Sequence, residues 1–512
     1  MNYNIYWLFG TITRLVRGNL QISNLVANFV SSSFSLTLPL IFNVIYFRVL
    51  GSESYGLIGF YGSLVALAGL LDMGLSQTTV REFARRTASA DRAQDMRIVL
   101  FTLQGVYIFV GLILGSMMLV FAHWIATSWL QRTQLSEHEV STAVVMMGGM
   151  LALSFPGIVF NATLRGLQRQ VLVSGLGIAI SIARGGTALG CLYLLKPTSV
   201  TFFSAQLALS VIEIATLGVI TWRILPPSPA PLRFNLGFLR SVWRFSSAHG
   251  LAVIMGQLMM MSGTIILSSL LPLESFGLYS LGVNVASIMP KLITPFNNAY
   301  FPHLVELSEK GDSITLSHTY HLITQVASAI LISVGLLLSV YTYSVLLLLT
   351  GNATNAASLA PIARLLVIAY TVNALMWLPH SLQLAQGIAW IALRFNIIQS
   401  AIFLPLLVIL TPRFGMYAPA SLWLAVNIIQ FPFFIVMTHR VALRSEMWRW
   451  LRGAIIYPAC GASAVLALGW LLAPSHITWP ITASWLAANG LVTFLVALAC
   501  SPKVATTLLG RS

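Results

Sequence analysis

Charged residues are scarce in this chain, and their scarcity excludes most soluble folds. Only 8% of its 512 residues are Asp, Glu, Lys or Arg, whereas 57% are hydrophobic. A soluble domain carries about 25% charged residues. The composition therefore predicts a polytopic membrane protein.

The signatures of several enzyme classes are also absent. No Gly-Lys dipeptide occurs, which excludes the phosphate-binding loop of P-loop ATPases. The histidines form no HExxH motif, and Cys191, Cys460 and Cys500 lie in or beside apolar segments. We therefore expect neither a metal site nor a disulfide framework, and no cofactor.

Apolar segments long enough to cross ~30 Å of hydrocarbon as helices fill most of the chain. We predict fourteen spans, at residues 21–47, 55–80, 98–122, 141–163, 171–195, 200–222, 247–271, 276–301, 321–350, 358–387, 394–411, 415–438, 453–473 and 479–500. The first twelve divide into six and six. The expected fold class is an all-α polytopic membrane protein of about 14 helices, with two six-helix lobes and two C-terminal helices.

The basic residues orient these spans. With the N-terminus and every second loop in the cytoplasm, four basic residues lie on the opposite side and three inside spans, which leaves 21 of the 28 in the cytoplasm. The seven exceptions are Arg48, Arg132, Lys196, Arg413, Arg184, Lys291 and Arg364. This positive-inside bias predicts that both termini are cytoplasmic. No compact basic domain remains to bind nucleic acid.

The loops on the opposite, periplasmic side are short. The longest, about 123–140, carries His138 and Glu139, which could form a catalytic pair. A membrane enzyme that joins sugars at this face would usually need a larger exposed loop. We therefore favour a solvated loop for this pair, and a transporter over an enzyme for the whole chain.

A short piece of sequence occurs twice, 221 residues apart. Residues 53–57 read Glu-Ser-Tyr-Gly-Leu, and residues 274–278 read Glu-Ser-Phe-Gly-Leu. Each copy lies in the tight turn between two spans, so the repeat places span 2 on span 8. Two homologous halves that enclose a site are the usual construction of a transporter.

The expected domain organisation follows from the spans and the repeat. Residues 1–19 contain Trp7, Phe9, Arg14 and Arg17 and are predicted to form an interfacial helix that leads into span 1. They lack the pattern of a signal peptide. The N-lobe is expected at 20–225 and the C-lobe at 246–440, with spans 13 and 14 and a tail at 441–512. The linker, 226–245, begins with a Pro-rich run that is typical of a semi-rigid spacer.

A longer stretch around the first repeat resembles a known family. Residues 50–85 read LGSESYGLIGFYGSLVALAGLLDMGLSQTTVREFAR, with a Gly-x-Glu-x-Tyr-Gly turn, a helix, then Asp-x-Gly and a basic exit. This pattern resembles polysaccharide exporters of the O-antigen flippase (Wzx) type. The basic turn LRGLQRQ at 164–170 is similar to the family's turn after span 4, and its counterpart LAQGIAW at 384–390 has Ile388 where an Arg is common.

The resemblance implies a member of the multidrug/oligosaccharidyl-lipid/polysaccharide (MOP) exporter superfamily, with two six-helix lobes around a central cavity and alternating access. Its expected cargo is an undecaprenyl-diphosphate-linked oligosaccharide, moved from the cytoplasmic to the periplasmic leaflet of a bacterial inner membrane. Membrane lipids, and a polymerase and chain-length partners of a polysaccharide pathway, are implied as partners. Transport could also be coupled to protons or sodium.

The alternative functions are a peptidoglycan lipid-precursor flippase, a multidrug or cation antiporter of the same fold, and, less favoured, a polysaccharide polymerase.

Five ionisable residues are predicted to lie inside spans, where each needs a partner or a water-filled cavity. They are Asp72, Arg184, Glu213, Lys291 and Arg364. Three cations against two carboxylates favour an anionic cargo over a cationic drug. Lys291 is the first candidate for the diphosphate, because it lies near mid-membrane between Pro290 and Pro295, which can break the helix.

The other four charges leave alternatives open. Arg184 and Glu213 fall at similar depth on neighbouring spans, so an ion pair is favoured, with Arg184 as a diphosphate ligand beside Gly185 and Gly186 as the second reading. Arg364 could snorkel to the surface or form an exit site.

Asp72 could pair with an arginine as a cytoplasmic gate, or couple transport to an ion. The arginines considered are Arg81, Arg85, Arg165 and Arg169. Several amides could bind sugar hydroxyls, although for each a helix-packing role is favoured. These amides are Gln257, Asn284, Asn373, Asn427 and Gln430.

Overall fold

The computed structural model describes residues 20–72, 75–87, 95–227, 232–240, 263–388, 390–472 and 479–504, with residues 20–37 described by their backbone only. Within these ranges the structure is helical, apart from turns and one isolated β-bridge between Gln131 and Pro272. The predicted interfacial segment, 1–19, lies outside the described residues.

Seventeen α-helices have bounds given by the described residues. In chain order they are α1 (Leu20–Ala68), α2 (Leu75–Thr87), α3 (Met96–Trp124), α4 (Glu137–Gly166), α5 (Gln170–Leu194), α6 (Ser199–Ile224), α7 (Leu273–Ala286), α8 (Ile288–Glu309), α9 (Ser313–Val340), α10 (Thr342–Thr350), α11 (Ala353–Leu375), α12 (Trp377–Ala385), α13 (Trp390–Phe414), α14 (Tyr417–Val441), α15 (Met447–Trp450), α16 (Tyr457–Leu471) and α17 (Trp479–Ala499). A 3₁₀ turn, Gly69–Asp72, follows α1, and wider π-type turns follow α3 and α15, at Ile125–Trp129 and Leu451–Ile456.

Twelve described segments are long and apolar enough to cross a membrane, by length and composition. They correspond to the predicted spans 2–6 and 8–14. Span 1 falls mainly on the part of α1 that is described by its backbone alone, and most of span 7 (247–271) lies outside the described residues. The all-α, multi-pass fold expected from the sequence is confirmed, and the count of fourteen is not contradicted.

Polar side chains at the ends of loops explain where several helices begin. Ser136, Thr198, Asp312 and Asn352 each precede a helix and accept a hydrogen bond from a backbone N–H of its first turn, at 2.8–3.2 Å. Such N-caps satisfy donors that the helix itself leaves unpaired. The polar residues in the loops between the apolar runs therefore also determine where these helices begin.

The chain divides into two compact units, with the boundary between Glu274 and Ser275. The core of the first unit is built mainly from α3 and α4, with buried side chains that include Leu103, Tyr107 and Phe155. The second unit has two cores, one around Tyr320 and Trp450 and one around Met289 and Ile332.

The predicted boundaries of the two lobes and of the linker remain predictions. The Pro-rich run is described only at its start, where the Arg97 side chain donates to the Pro226 carbonyl at 2.9 Å.

The first copy of the repeat forms a sharp corner within α1. Gly51 has φ +80°, a conformation that favours glycine, and there the two halves of α1 meet. The carboxylate of Glu53 is buried and accepts hydrogen bonds from the backbone N–H groups of Thr133, Gln134 and Leu135 at 2.6, 2.8 and 3.3 Å. The glutamate of the repeated motif therefore holds the loop between α3 and α4.

Candidate cargo-binding site

Lys291 lies in α8, four residues after Ser287, where α7 and α8 meet. Its side chain is half-buried, and within the described ranges it has no hydrogen bond or ion pair. A lysine in a membrane span costs ~2.5–3.5 kcal/mol on insertion scales, so an ammonium group without a protein partner requires water or a ligand. Lys291 is therefore an anion-binding candidate in the second unit.

The helix interruption expected near Lys291 is present, but its position differs from the prediction. It lies at Ser287, and α8 continues through both Pro290 and Pro295. Pro290 is the third residue of α8, where a missing N–H is tolerated. Pro295 cannot donate to the carbonyl of Lys291, four residues before it. Lys291 thus combines a cation with a backbone carbonyl that lacks its usual helical donor.

A second interrupted span packs beside the first. The junction of α11 and α12 lies at Met376, and residues next to it share one core with α8. Met289 and Ile293 of α8 pack there with Leu375 and Leu378. Discontinuous helices are a recurring feature of binding sites in transporters, because they expose backbone groups inside the membrane.

Arg184 and Glu213 are brought together in the first unit, as expected from their matched depth. The guanidinium donates to Oε2 of Glu213 from Nη2 at 2.6 Å and from Nε at 3.1 Å. It also donates to Gln206 at 2.9 Å and to Ser210 at 3.0 Å. The donors of Arg184 are thus directed to protein acceptors, which disfavours Arg184 as the main diphosphate ligand.

The neighbouring glycines do not change this conclusion. A β-carbon at Gly185 would overlap the ring of Phe42, so the ring fills the space that the sequence suggested was open. Gly186 has no heavy atom within 4 Å of a β-carbon position.

In this structure Asp72 accepts hydrogen bonds from hydroxyl and backbone N–H groups, and its pairing with an arginine as a gate stays a prediction. Its carboxylate accepts hydrogen bonds from the hydroxyls of Tyr107, at 2.5 Å, and Ser76, at 2.7 Å, and from the backbone N–H of Ser76, at 3.2 Å. Asp72 lies just before α2, so its carboxylate turns towards the unpaired N–H groups at the start of that helix. Arg81 lies 3.7 Å from Glu82.

The remaining candidates are dispersed. Arg364 is exposed on α11 and has no ion pair in the described part of the chain, in agreement with either reading of it. Gln257 lies outside the described residues. Asn284 is half-buried in α7, and its carbonyl accepts the Ser287 hydroxyl at 2.8 Å.

Two of the amides have the helix-packing role that was favoured for them. Asn373 of α11 donates to Oδ1 of Asn427 of α14 at 2.9 Å.

In the loop pair formed by His138 and Glu139, the glutamate has a structural contact. Its carboxylate accepts the backbone N–H of Ser199 at 3.1 Å, at the start of α6.

Sequence reasoning missed one buried polar cluster in the second unit. Nε2 of His321 lies 2.9 Å from Oε2 of Glu446, and the imidazole is almost fully buried. His439 packs nearby, with its Nδ1 2.9 Å from the Ile435 carbonyl and its ring against Trp450. The pairing joins residues 125 positions apart, and neither has a motif around it. Only the fold brings them together.

A family model described as "Polysaccharide biosynthesis protein" matches residues 22–308, which is more than half of the chain. The chain belongs to this family. No curated protein matches it.

Solved structures of similar fold agree with this membership. A lipid II flippase, MurJ, in an inward closed conformation has a TM-score of 0.73 at 11% identity, over 95% of this chain and all of that one. An inward-facing multidrug resistance MATE transporter of the MOP superfamily has a TM-score of 0.64 at 14% identity, over 80% of this chain and 96% of that one. A MOP superfamily transporter from Pyrococcus furiosus has a TM-score of 0.58 at 16% identity, over 85% and 98%. At these identities the likeness establishes the fold of the family member, not its cargo.

Proposed function

We propose that the protein is a flippase that moves an undecaprenyl-diphosphate-linked oligosaccharide from the cytoplasmic to the periplasmic leaflet of a bacterial inner membrane, by alternating access. The cargo would be the repeat unit of O-antigen or of another surface polysaccharide. The family's description and the shared fold support a role in polysaccharide export. The single observation that carries the proposal is the ammonium group of Lys291 inside a predicted membrane span, which has no ion pair or hydrogen bond among the described residues.

The physical basis is the charge balance of the span. A diphosphate brings negative charge to a lysine that has no protein counter-ion among the described residues. At an effective dielectric constant of about 20, two unit charges 4 Å apart attract by about 4 kcal/mol. That attraction is comparable to the cost of placing the lysine in the span. Cargo binding would therefore neutralise a charge that the fold leaves uncompensated.

A drug or cation antiporter fits the same fold less well. Such a protein would need carboxylates that are available to a cation. Glu213 is instead bound by Arg184, and Asp72 is bound by Tyr107 and Ser76. A flippase for the peptidoglycan precursor shares the diphosphate lipid, so Lys291 would serve it equally well. Coupling to a proton or sodium gradient belongs to the proposal, as do cytoplasmic termini and partners in polysaccharide assembly.

The proposal is tested by complementation of a strain that lacks its O-antigen flippase. Lys291→Ala and Lys291→Glu should abolish surface polysaccharide at an unchanged amount of protein in the membrane. Lys291→Arg should keep partial activity, because a cation remains although its planar head is larger.

Lys310→Ala is the matched control, since Lys310 is exposed at the end of the same helix and pairs with Glu306 at 2.5 Å. It should export normally. Rescue of a strain that lacks its peptidoglycan-precursor flippase would favour the alternative cargo. Normal polysaccharide from Lys291→Ala would refute the role of Lys291.

A further inference from the structure

Lys291 is the middle residue of a polar stripe on one face of span 8. Five polar residues follow one another at intervals of three, four, three and four, which are Asn284, Ser287, Lys291, Thr294 and Asn298. Ser287 lies at the junction of α7 and α8, but its φ of −65° and ψ of −4° stay close to helical values. At 3.6 residues per turn the intervals therefore place all five within about 80° around the axis. The stripe extends over about 21 Å at 1.5 Å per residue.

Burial separates this stripe from the packed side of the same span. All five polar residues are half-buried or exposed. On the other side, Val285, Ala286, Met289 and Ile293 are at most 4% exposed. These four apolar side chains therefore pack in the core, whereas the five polar side chains lie on the more accessible side of the span.

The two hydroxyl groups of the stripe form hydrogen bonds within their own span. The hydroxyls of Ser287 and Thr294 donate to carbonyls of their own span at 2.8 and 2.7 Å, so they link no second helix in these bonds. Each hydroxyl oxygen keeps lone pairs that can accept a further hydrogen bond. A lipid-facing surface with a cation at its centre is costly, so this face is suited to water or to a polar ligand.

The first copy of the repeat differs from the second at the stripe positions that can be compared. Counting the same 221 residues back from Asn284, Ser287 and Lys291 leads to Ser63, Ala66 and Leu70. Ser63 and Leu70 are buried, and the Ser63 hydroxyl donates to the Gly59 carbonyl. At these described positions the first copy has no cation, and two of its three side chains are buried, whereas all three side chains of the second copy are half-buried.

We infer that the polar stripe binds the sugars of the cargo, on either side of a diphosphate held at Lys291. Hydroxyl and amide side chains are the groups that pair with sugar hydroxyls, and they lie within about 11 Å along the helix from Lys291 in both directions. This inference rests on the proposed function, because it takes the diphosphate of the carrier as the anchor. It adds the carbohydrate as the second recognised part of the cargo.

The test compares two ligands on the purified full-length protein. One is undecaprenyl diphosphate without sugar, and the other is the same carrier with the repeat unit, extracted from the source organism. The variant is Thr294→Val combined with Asn298→Leu, which removes hydrogen-bonding groups from half-buried or exposed positions at nearly unchanged volume. We expect roughly tenfold weaker binding of the sugar-bearing carrier and unchanged binding of the bare carrier.

Two controls separate the inference from its premise. Thr216→Val removes a threonine hydroxyl of α6 that donates to its own helix in the same way, at 2.7 Å, and should leave both affinities unchanged. Lys291→Ala should weaken both carriers together. If the wild type binds both carriers through Lys291 and the double variant binds them like the wild type, the stripe does not bind sugar and the proposed function stands. If Lys291→Ala changes neither affinity, both the premise and the inference fail.

Discussion

The two copies of the repeat share a sequence motif, but the two units that contain them differ in how their charged side chains are paired. In the first unit, Asp72, Arg184 and Glu213 all have polar partners within 3.1 Å. In the second unit, Lys291 has none in the described part of the chain. Its counterpart in the first copy is a leucine, Leu70. A duplicated helix that folds with leucine does not need the lysine for folding, so we attribute the lysine to function.

The glutamates of the two copies differ in the same way. Glu53 receives three backbone N–H groups of the α3–α4 loop and is 6% exposed. Glu274 is half-buried and accepts a single long hydrogen bond from the Ser52 hydroxyl, at 3.3 Å. The sequence motif is conserved between the copies, whereas its contacts are not. Glu53 holds the α3–α4 loop, whereas Glu274 is joined to the Ser52 hydroxyl in the described part of the chain.

The largest expected loss of stability comes from breaking the paired charges of the first unit. Arg184→Leu or Glu213→Leu should each cost about 3 kcal/mol, at the low end for buried pairs because both side chains are nearly 30% exposed. The double variant should lose less than the sum. Thermal midpoints of the purified proteins in one detergent measure this. Additive losses would show that the two side chains do not depend on each other.

The second unit contains a partly buried hydrogen bond between His321 and Glu446, and a smaller loss is expected there. His321→Leu should cost about 2 kcal/mol, because it leaves the Glu446 carboxylate with fewer hydrogen-bond donors. His318→Leu is the matched control on the same helix, since His318 is exposed. It should leave the thermal midpoint almost unchanged. Equal effects of the two variants would mean that the bond between His321 and Glu446 contributes nothing.

The smallest effects should distinguish the two repeat glutamates. Glu53→Gln should cost about 1–2 kcal/mol, because the amide accepts the loop N–H groups with only one oxygen and without charge. Glu274→Gln should stay within about 0.5 kcal/mol. Limited proteolysis of the α3–α4 loop gives a local readout, with faster cleavage expected for Glu53→Gln only. Equal cleavage of both variants would contradict the difference between the copies.

Much of the fold could be predicted from the sequence because membrane spans have a strong local signal. The apolar runs and the repeated turn needed no knowledge of tertiary contacts. The pair formed by Arg184 and Glu213 was also accessible, because two spans joined by a short turn have predictable depths.

Other parts of the candidate site depended on the fold. The contact of Asp72 with Tyr107 was not predicted, because Tyr107 lies on another helix, 35 residues further along the chain. The contact of His321 with Glu446 has no local signal. The polar stripe was hidden because its members were judged one at a time, although their spacing was visible throughout.

We propose that the charge of Lys291 serves transport and not stability. The most direct measurement replaces it with the first-copy residue, Lys291→Leu, and follows both the thermal midpoint and surface polysaccharide in a flippase-deficient strain. We expect an unchanged or higher thermal midpoint, because the variant removes a charge that has no counter-ion among the described residues, together with loss of export. A lower midpoint with normal export per molecule would contradict it, since Lys291 would then be a structural residue.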